Sequence, residues 1–263
     1  MRKAIRTRLL VYGGLVAVTE GFYLYQPVRI DLFPKTPPVP NPTVDPDAKG
    51  LFAPGARVGL LTAHPDDAEY YAGGLLAKLR KTGARVTLVV MTDGDKGFYP
   101  WEDAAANRKV RRAEQTAAAR AWGAESVAFL GFPDGRLRLE DETVEKAAGL
   151  FPNIDWLVSF DGDYPPKVAH GDHTTAGRIA DRVARAIHPR WHLRFATHAP
   201  NATLDLTGFD LAHRSLLDLH RSQFAGEKEA RVWGSVYESG LTDGERIGVE
   251  YGLSVRATPR PAP

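Results

Sequence analysis

The chain has 263 residues, 43% hydrophobic and 25% charged, with a formal net charge of +2 and a sequence pI near 8.8; these proportions suit one globular domain with appendages. A charge so near balance leaves no electrostatic footprint for a nucleic-acid partner. The absence of cysteine excludes disulfides, thiolate zinc sites, cysteine nucleophiles and a lipid-modified N-terminal cysteine.

Arg2, Lys3, Arg6 and Arg8 precede an apolar run from Leu9 to Val18, and apolar character resumes at Phe22-Tyr23-Leu24-Tyr25. The run is shorter than the about 20 residues a membrane span needs and resembles a secretory signal core, yet no small-x-small cleavage site follows. Residues 1–26 are therefore expected to form an uncleaved signal anchor, associating the protein with a membrane and exporting the rest of the chain. A cleaved signal, giving a secreted or periplasmic product, is the next reading, and an extension on a cytoplasmic protein the plainest. Prolines at 37, 38, 40, 42 and 46 then make residues 27–56 a Pro-rich linker.

From residue 57 the hydrophobic period alternates between strand and helix. Val58 to Thr62 reads as a short buried strand, and Leu75, Leu76 and Leu79 mark the buried side of a helix that Gly83 ends. Between them lies Ala63-His64-Pro65-Asp66-Asp67-Ala68-Glu69, which crowds an imidazole and two adjacent carboxylates into a turn where a helix start needs one capping side chain. His64 and Asp67 can ligate a divalent cation, with Pro65 stiffening the turn. Asp66, beside the ion but not on it, suits general-base work on water. The bland alternative is that both aspartates only cap the helix.

Val86 to Met91 is a second buried strand, ending in the polar loop Thr92-Asp93-Gly94-Asp95-Lys96-Gly97, which a parallel sheet would bring to the same edge as the His64 turn. Asn107 to Trp122 reads as a helix. Its Arg111 and Glu114, one turn apart, would by default form a weak surface ion pair. Ser126 to Leu130 is a third strand, followed by Gly131-Phe132-Pro133-Asp134-Gly135, where Asp134 either closes the turn or faces the site. A weak helix over Glu140–Leu150 and a strand over Trp156–Phe160 lead to His170-Gly171-Asp172-His173. Histidines three apart at a helix start share neighbouring surface, so one can complete a His, Asp, His ligand set while the other faces the same cavity. Asp161 or Asp163 could orient His170, although loop aspartates more often bond their own backbone. Leu193 to His198 reads as a fifth strand and Leu211 to Gln223 as a helix bearing His213 and His220. Val236-Tyr237-Glu238 with Gly248–Tyr251 suggests a small C-terminal β ribbon, and residues 256–263 a disordered tail.

The expected fold is thus α/β, a Rossmann-like, mostly parallel sheet flanked by helices, occupying residues 57–255. It carries no G-x-G-x-x-G after its first strand, no G-x-x-x-x-G-K-[ST] and no G-x-S-x-G, so nucleotide use and a serine nucleophile elbow have no support.

Ala63-His64-Pro65-Asp66-Asp67, Gly73-Gly74, Thr92-Asp93-Gly94-Asp95, Arg111-Arg112-Ala113-Glu114, His170-Gly171-Asp172-His173 and His220-Arg221-Ser222-Gln223 resemble, in order and spacing, the successive motifs of the PIG-L/LmbE-like de-N-acetylases. The resemblance spans residues 57 to 225 and implies a zinc-dependent amidase acting on an N-acetylglucosamine-bearing glycan or small molecule. It implies that His64, Asp67 and His173 bind the metal, that Asp66 is the base, and that His170 helps stabilise the oxyanion. Arg111, Asp95, Asp134, His220 and Gln223 become candidates for contact with substrate. Two departures bear on the substrate subgroup: Ala68 with Glu69 where Glu directly after the aspartates is common, and Gly171 where Pro is usual. Zinc is the first expectation for the metal, although a two-histidine, one-carboxylate set also accepts iron(II), cobalt or nickel. The rival of another class is a non-catalytic, metal-dependent carbohydrate-binding protein of the cell envelope, which would have no use for Asp66. Phosphoester hydrolysis would ask for a second metal cluster.

Overall fold

Short apolar segments separated by amphipathic ones cannot pair through tight turns; they pair in parallel through crossover helices. The computed structural model describes residues 48–97, 103–151, 153–165 and 170–260, all inside one compact unit, Asn41–Pro263. Its strands are β1 (Arg57–Thr62), β2 (Arg85–Thr92), β3 (Ser126–Phe132), β4 (Trp156–Phe160), β5 (Trp191–Phe195), β6 (Ala202–Asp205) and β7 (Gly252–Pro259). The longer helices are α1 (Asp67–Thr82), α2 (Ala104–Ala121), α3 (Asp141–Ala148), α4 (Gly171–Ile187), α5 (Asp210–Leu217) and α6 (Glu229–Glu245).

The sheet runs β3-β2-β1-β4-β5-β7-β6. β1 to β5 are mutually parallel, while β7 lies antiparallel to both β5 and β6. Leu60 and Leu61 of β1, Leu88 and Val89 of β2, and Leu157 and Val158 of β4 are buried, so the central strands are covered on both faces. Leu75, Leu76 and Leu79 of α1 and Ile179 and Val183 of α4 join the same core, each worth about 1.5–3 kcal/mol of burial. Gly83 ends α1 with φ 77°, its N–H donating to Arg80.

The order of strands positions the site. The chain winds outward one way from β1 through β2 to β3, then returns to the other side of β1 with β4 and β5. The loops after β1 and β4 therefore diverge at the carboxyl edge of the sheet and leave a crevice, where open α/β sheets place ligands.

Two terminal expectations are corrected. Val236, Tyr237 and Glu238 lie inside α6, not in a ribbon. Val232, Val236 and Gly240 recur at steps of four, a helical period, and Gly240 is where the Tyr251 ring packs on the helix backbone. The antiparallel pair at the C-terminus is made by β6 and β7 instead. β7 also carries order through Pro259, beyond the expected start of a tail at 256, because Val255 and Ala257 are buried and Arg256 pairs with Asp161. At the other end, Leu51 is fully buried in the core, so the folded domain begins inside the expected linker. The expected anchor, residues 1–26, lies outside the described residues. Among the described residues no helix is long and apolar enough to cross a membrane.

Candidate metal and active site

The turn after β1 is tied by its own side chain. Asp67 Oδ2 accepts the N–H groups of His64 (2.7 Å) and Ala63 (3.1 Å), which brings His64 back over the start of α1. Asp66, at the N-cap, makes no side-chain cap bond, so the capping explanation of the paired aspartates does not hold. Asp66 adopts φ 105°, a left-handed conformation that costs a non-glycine residue about 1–3 kcal/mol. It is held there by Gln115, whose Oε1 accepts the Asp66 N–H at 2.8 Å, and by Arg111, which donates to Pro65 O (2.7 Å) and Asp66 Oδ2 (2.9 Å). Arg111 also donates to Gly94 O at 2.7 Å. Gly94 has φ +61° and lies so close to the guanidinium that a Cβ there would meet it, so only glycine fits. Arg111 is thus buried as the pin between two site loops rather than paired with Glu114, which binds Ser222.

The loop after β4 brings α4 onto this turn. His64 Nδ1, His173 Nε2 and the Asp67 carboxylate lie 3.1 Å (His–His), 3.1 Å (His173–Asp67 Oδ1) and 3.5 Å (His64–Asp67 Oδ2) apart. Ligands about 2.0–2.1 Å from a tetrahedral zinc are separated by about 3.3 Å, so the set has the spacing of one face of such a site. Its tautomers fit as well. His64 Nε2 lies 3.1 Å from Asp134 Oδ1 and 3.4 Å from Asp172 Oδ2 without a well-aligned hydrogen bond to either; the two carboxylates draw a proton to that nitrogen by charge, which favours Nδ1 as the donor to a cation. Burial alone would raise the Asp67 carboxyl, but the imidazoles of His173 and His64 outweigh it and hold it well below the usual carboxylate range. For His64 burial opposes charge, yet Asp134, Asp172 and Asp67 together raise its pKa well above the ordinary value. His64, His170 and Asp172 are also close enough to form a ligand group, and it shares His64 with the first.

Asp66 and His170 flank the metal set. Burial raises the Asp66 carboxyl, with the Arg111 guanidinium opposing and Asp67 adding to the rise. Arg111 occupies Oδ2, so Oδ1 is the oxygen available for proton transfer. His170 is exposed at the N-cap of α4, where its Nδ1 accepts the Asp172 N–H at 3.2 Å. Its pKa is lowered, by burial first and then by His64 and His173. A neutral ring with Nδ1 as acceptor carries its proton on Nε2, which makes that nitrogen a donor.

The remaining candidates serve the frame. Asp134 is turned inward onto His64 rather than closing its own turn. Asp95 Oδ1 accepts the Asp134 N–H at 3.1 Å and joins the loops after β2 and β3. His220, 1% exposed, binds Glu69 at 2.9 Å, and Gln223 is 3% exposed against Gly97. Three residues that sequence reasoning passed over complete the site. Glu69 and Gln115 are fully buried behind Asp66. Asp172 accepts the N–H groups of Gly135 and Leu137 and so fastens the β3 loop to α4.

Fold and site together define an α/β protein whose switch-point crevice brings two histidines and a carboxylate to the spacing one cation would need, with a second buried aspartate beside them. Residues 60–184 match the PIG-L family, described as GlcNAc-PI de-N-acetylase. A Bacillus cereus protein named probable N-acetyl-alpha-D-glucosaminyl L-malate deacetylase 2 is 32% identical over 128 residues, covering 46% of this chain but only 57% of that relative. The N,N'-diacetylchitobiose deacetylase of Pyrococcus horikoshii, solved with an inhibitor, superimposes with a TM-score of 0.72 at 24% identity, over 77% of this chain and 84% of that one. The 4-carboxy-2-hydroxymuconate hydratase of Pseudomonas putida does so with a TM-score of 0.63 at 20% identity, over 80% and 98%. The last two likenesses show the fold alone, since they join a deacetylase and a hydratase.

Proposed function

We propose that this protein is a metal-dependent amide hydrolase that removes acetyl from an N-acetylglucosamine-type glycan or glycoside. The observation that carries the reading is the convergence of His64 Nδ1, His173 Nε2 and Asp67 within 3.1–3.5 Å of one another, with the Asp66 carboxylate next to them on the same turn. The names of the Bacillus cereus and Pyrococcus horikoshii proteins supply the acetamide and the amino sugar.

A divalent cation on His64, Asp67 and His173, zinc by first choice, supplies polarisation of an acyl oxygen and a more acidic water. Asp66 takes the proton of the attacking water and passes it to the leaving amine, tasks suited to a carboxylate whose pKa burial has raised. His170 donates from Nε2 to the oxygen that gains charge. Arg111 keeps Asp66 aimed and does not itself need to meet substrate.

The direct test is release of free amine from N-acetylglucosamine derivatives by protein loaded with zinc, with and without a chelator. Chelator-sensitive release is expected; metal-replete protein that binds the sugars and releases no amine would instead establish the carbohydrate-binding reading. We also propose that residues 1–26 anchor the protein in a membrane with the catalytic domain exported. Recovery of the full chain in the soluble cytoplasmic fraction would overturn that placement.

A further inference from the structure

Behind the turn lies a polar cluster that cannot touch substrate. Glu69 is 0% exposed, and its carboxylate receives Trp122 Nε1 (2.6 Å), His220 Nε2 (2.9 Å) and Gln115 Nε2 (3.0 Å to each oxygen). Gln115, also 0% exposed, turns its other amide atom the opposite way, where Oε1 accepts the Asp66 N–H at 2.8 Å. A glutamine amide has two orientations, and at this position they are not equivalent. A carboxylate can only accept, so Nε2 must face Glu69 and Oε1 must face Asp66. In the reversed orientation Oε1 would oppose two carboxylate oxygens, and Nε2 would oppose the Asp66 N–H.

The geometry points to Glu69 as the positioning residue of the site: by dictating which way the Gln115 amide lies, it supplies the acceptor that holds Asp66 in its left-handed conformation. Asp66 is the residue whose backbone gains most from such a partner, because nothing in its own φ of 105° is intrinsically favourable. The inference rests on Asp66 being the proton-transfer group of the proposed hydrolysis. It gives Ala68-Glu69 a role at the position where the sequence departs from the commoner pattern of two aspartates followed directly by glutamate.

Exchanging the two side chains tests it. Glu69→Gln replaces one of the two acceptor oxygens facing the Gln115 amide with a donor, which weakens the rule that fixes that amide. The expected result is kcat lower by about 10- to 100-fold, with KM and bound metal within about twofold of wild type, and faster hydrogen exchange at the Asp66 amide by NMR. The double variant Glu69→Gln/Gln115→Glu restores the pattern. The carboxylate moved to position 115 accepts from the Asp66 N–H and from the amide now at position 69, and the rest of that amide faces His220. Exchange protection and kcat should both recover. Unchanged Asp66 protection in Glu69→Gln, or a folded double variant that fails to recover it, overturns the assignment, as does rapid exchange of the Gln115 side-chain amide in the wild type. Wild-type protein that releases no amine refutes the hydrolase reading, while the exchange data still decide what Glu69 does.

Discussion

The two loops that carry the proposed metal donors are held in opposite ways. The turn after β1 is bound from within and behind: Asp67 accepts the N–H groups of Ala63 and His64, Arg111 and Gln115 clasp Pro65 and Asp66, and His64, Asp66 and Asp67 are all buried. The loop after β4 is bound at a distance. Asp161, fully buried, accepts from Arg256, Thr197 and the N–H groups of Asp163 and Tyr164, while Gly162 packs on Gly177 of α4 so closely that a Cβ on either would come within 2.5 Å of backbone. His170 at the tip is exposed and His173 only partly covered. The difference suits the proposed division of labour. A base that moves a proton gains from a fixed frame, whereas residues that admit an acyl group must border open space.

Removing the base should separate the two regions most sharply. Asp66→Asn keeps the Arg111 bond to one side-chain oxygen and leaves the ligand set whole, so zinc content should stay at one equivalent while kcat falls by about 10²- to 10⁴-fold. Turnover within a few-fold of wild type would remove Asp66 from the mechanism. On the other loop, His173→Ala takes away one donor of three, and bound zinc after dialysis should fall toward zero. A variant that retains a full equivalent would take His173 off the ligand set. Because three carboxylates hold protons on His64, zinc uptake should release a proton, and apparent affinity should drop about tenfold per pH unit below the raised His64 pKa. Calorimetry in buffers of different ionisation enthalpy measures that release directly, and uptake without it would mean that His64 is already neutral, with Nδ1 free, before the cation arrives.

Much of this was legible in the chain. His64, Asp67 and His173 could be read because they are chemically conspicuous and sit at the ends of periodic segments, and strand order then delivers both segments to one crevice. The frame around them could not be read. Glu69 meets partners 46, 53 and 151 residues away, on α2 and beyond α5, and no local pattern marks such pairs. His220 enters that cluster because the expected helix over 211–223 breaks between Leu217 and Arg221. Asp134 sits in a turn-forming context, so its inward orientation onto His64 is a tertiary choice that overrides the local one. The C-terminal ribbon was misplaced because a run of three or four residues shows neither a helical nor a strand period; the register became visible only over the full length of α6.

Acid should loosen the back of the first region. His213 Nε2 donates to Glu69 O at 2.8 Å and its Nδ1 accepts from Tyr251 OH at 2.9 Å, so the ring is neutral when bonded. Burial pushes its pKa down to about 4. The folded state then refuses a proton that the unfolded chain accepts below about 6.5, so stability is full above that value and declines by roughly 3 kcal/mol as pH falls through the window to 4. Thermal denaturation between pH 7 and pH 4.5 should show this decline, and His213→Asn, less stable at neutral pH, should show a shallower one. An equal slope in both proteins would place the acid sensitivity elsewhere.

The smallest effect is expected at the remote tether of the second loop. Arg256 on β7 grips Asp161 through Nε (2.8 Å) and Nη2 (2.7 Å), and its guanidinium lies 4.9 Å from the centre of the Tyr164 ring. Burial alone would raise the Asp161 carboxyl, but Arg256, Thr197 and the two backbone donors outweigh it and hold it below the usual range. Arg256→Ala leaves a buried carboxylate short of its charged partner, and the strain passes through Gly162 to α4 and His173. The expected outcome is about tenfold weaker zinc binding, with kcat of the fully loaded enzyme close to wild type because Asp66 belongs to the other region. Arg256→Lys, which keeps the charge but not the paired geometry, should fall between. A fall in kcat at saturating zinc, with affinity unchanged, would mean that the two loops are not held independently and would break the comparison from its weaker side.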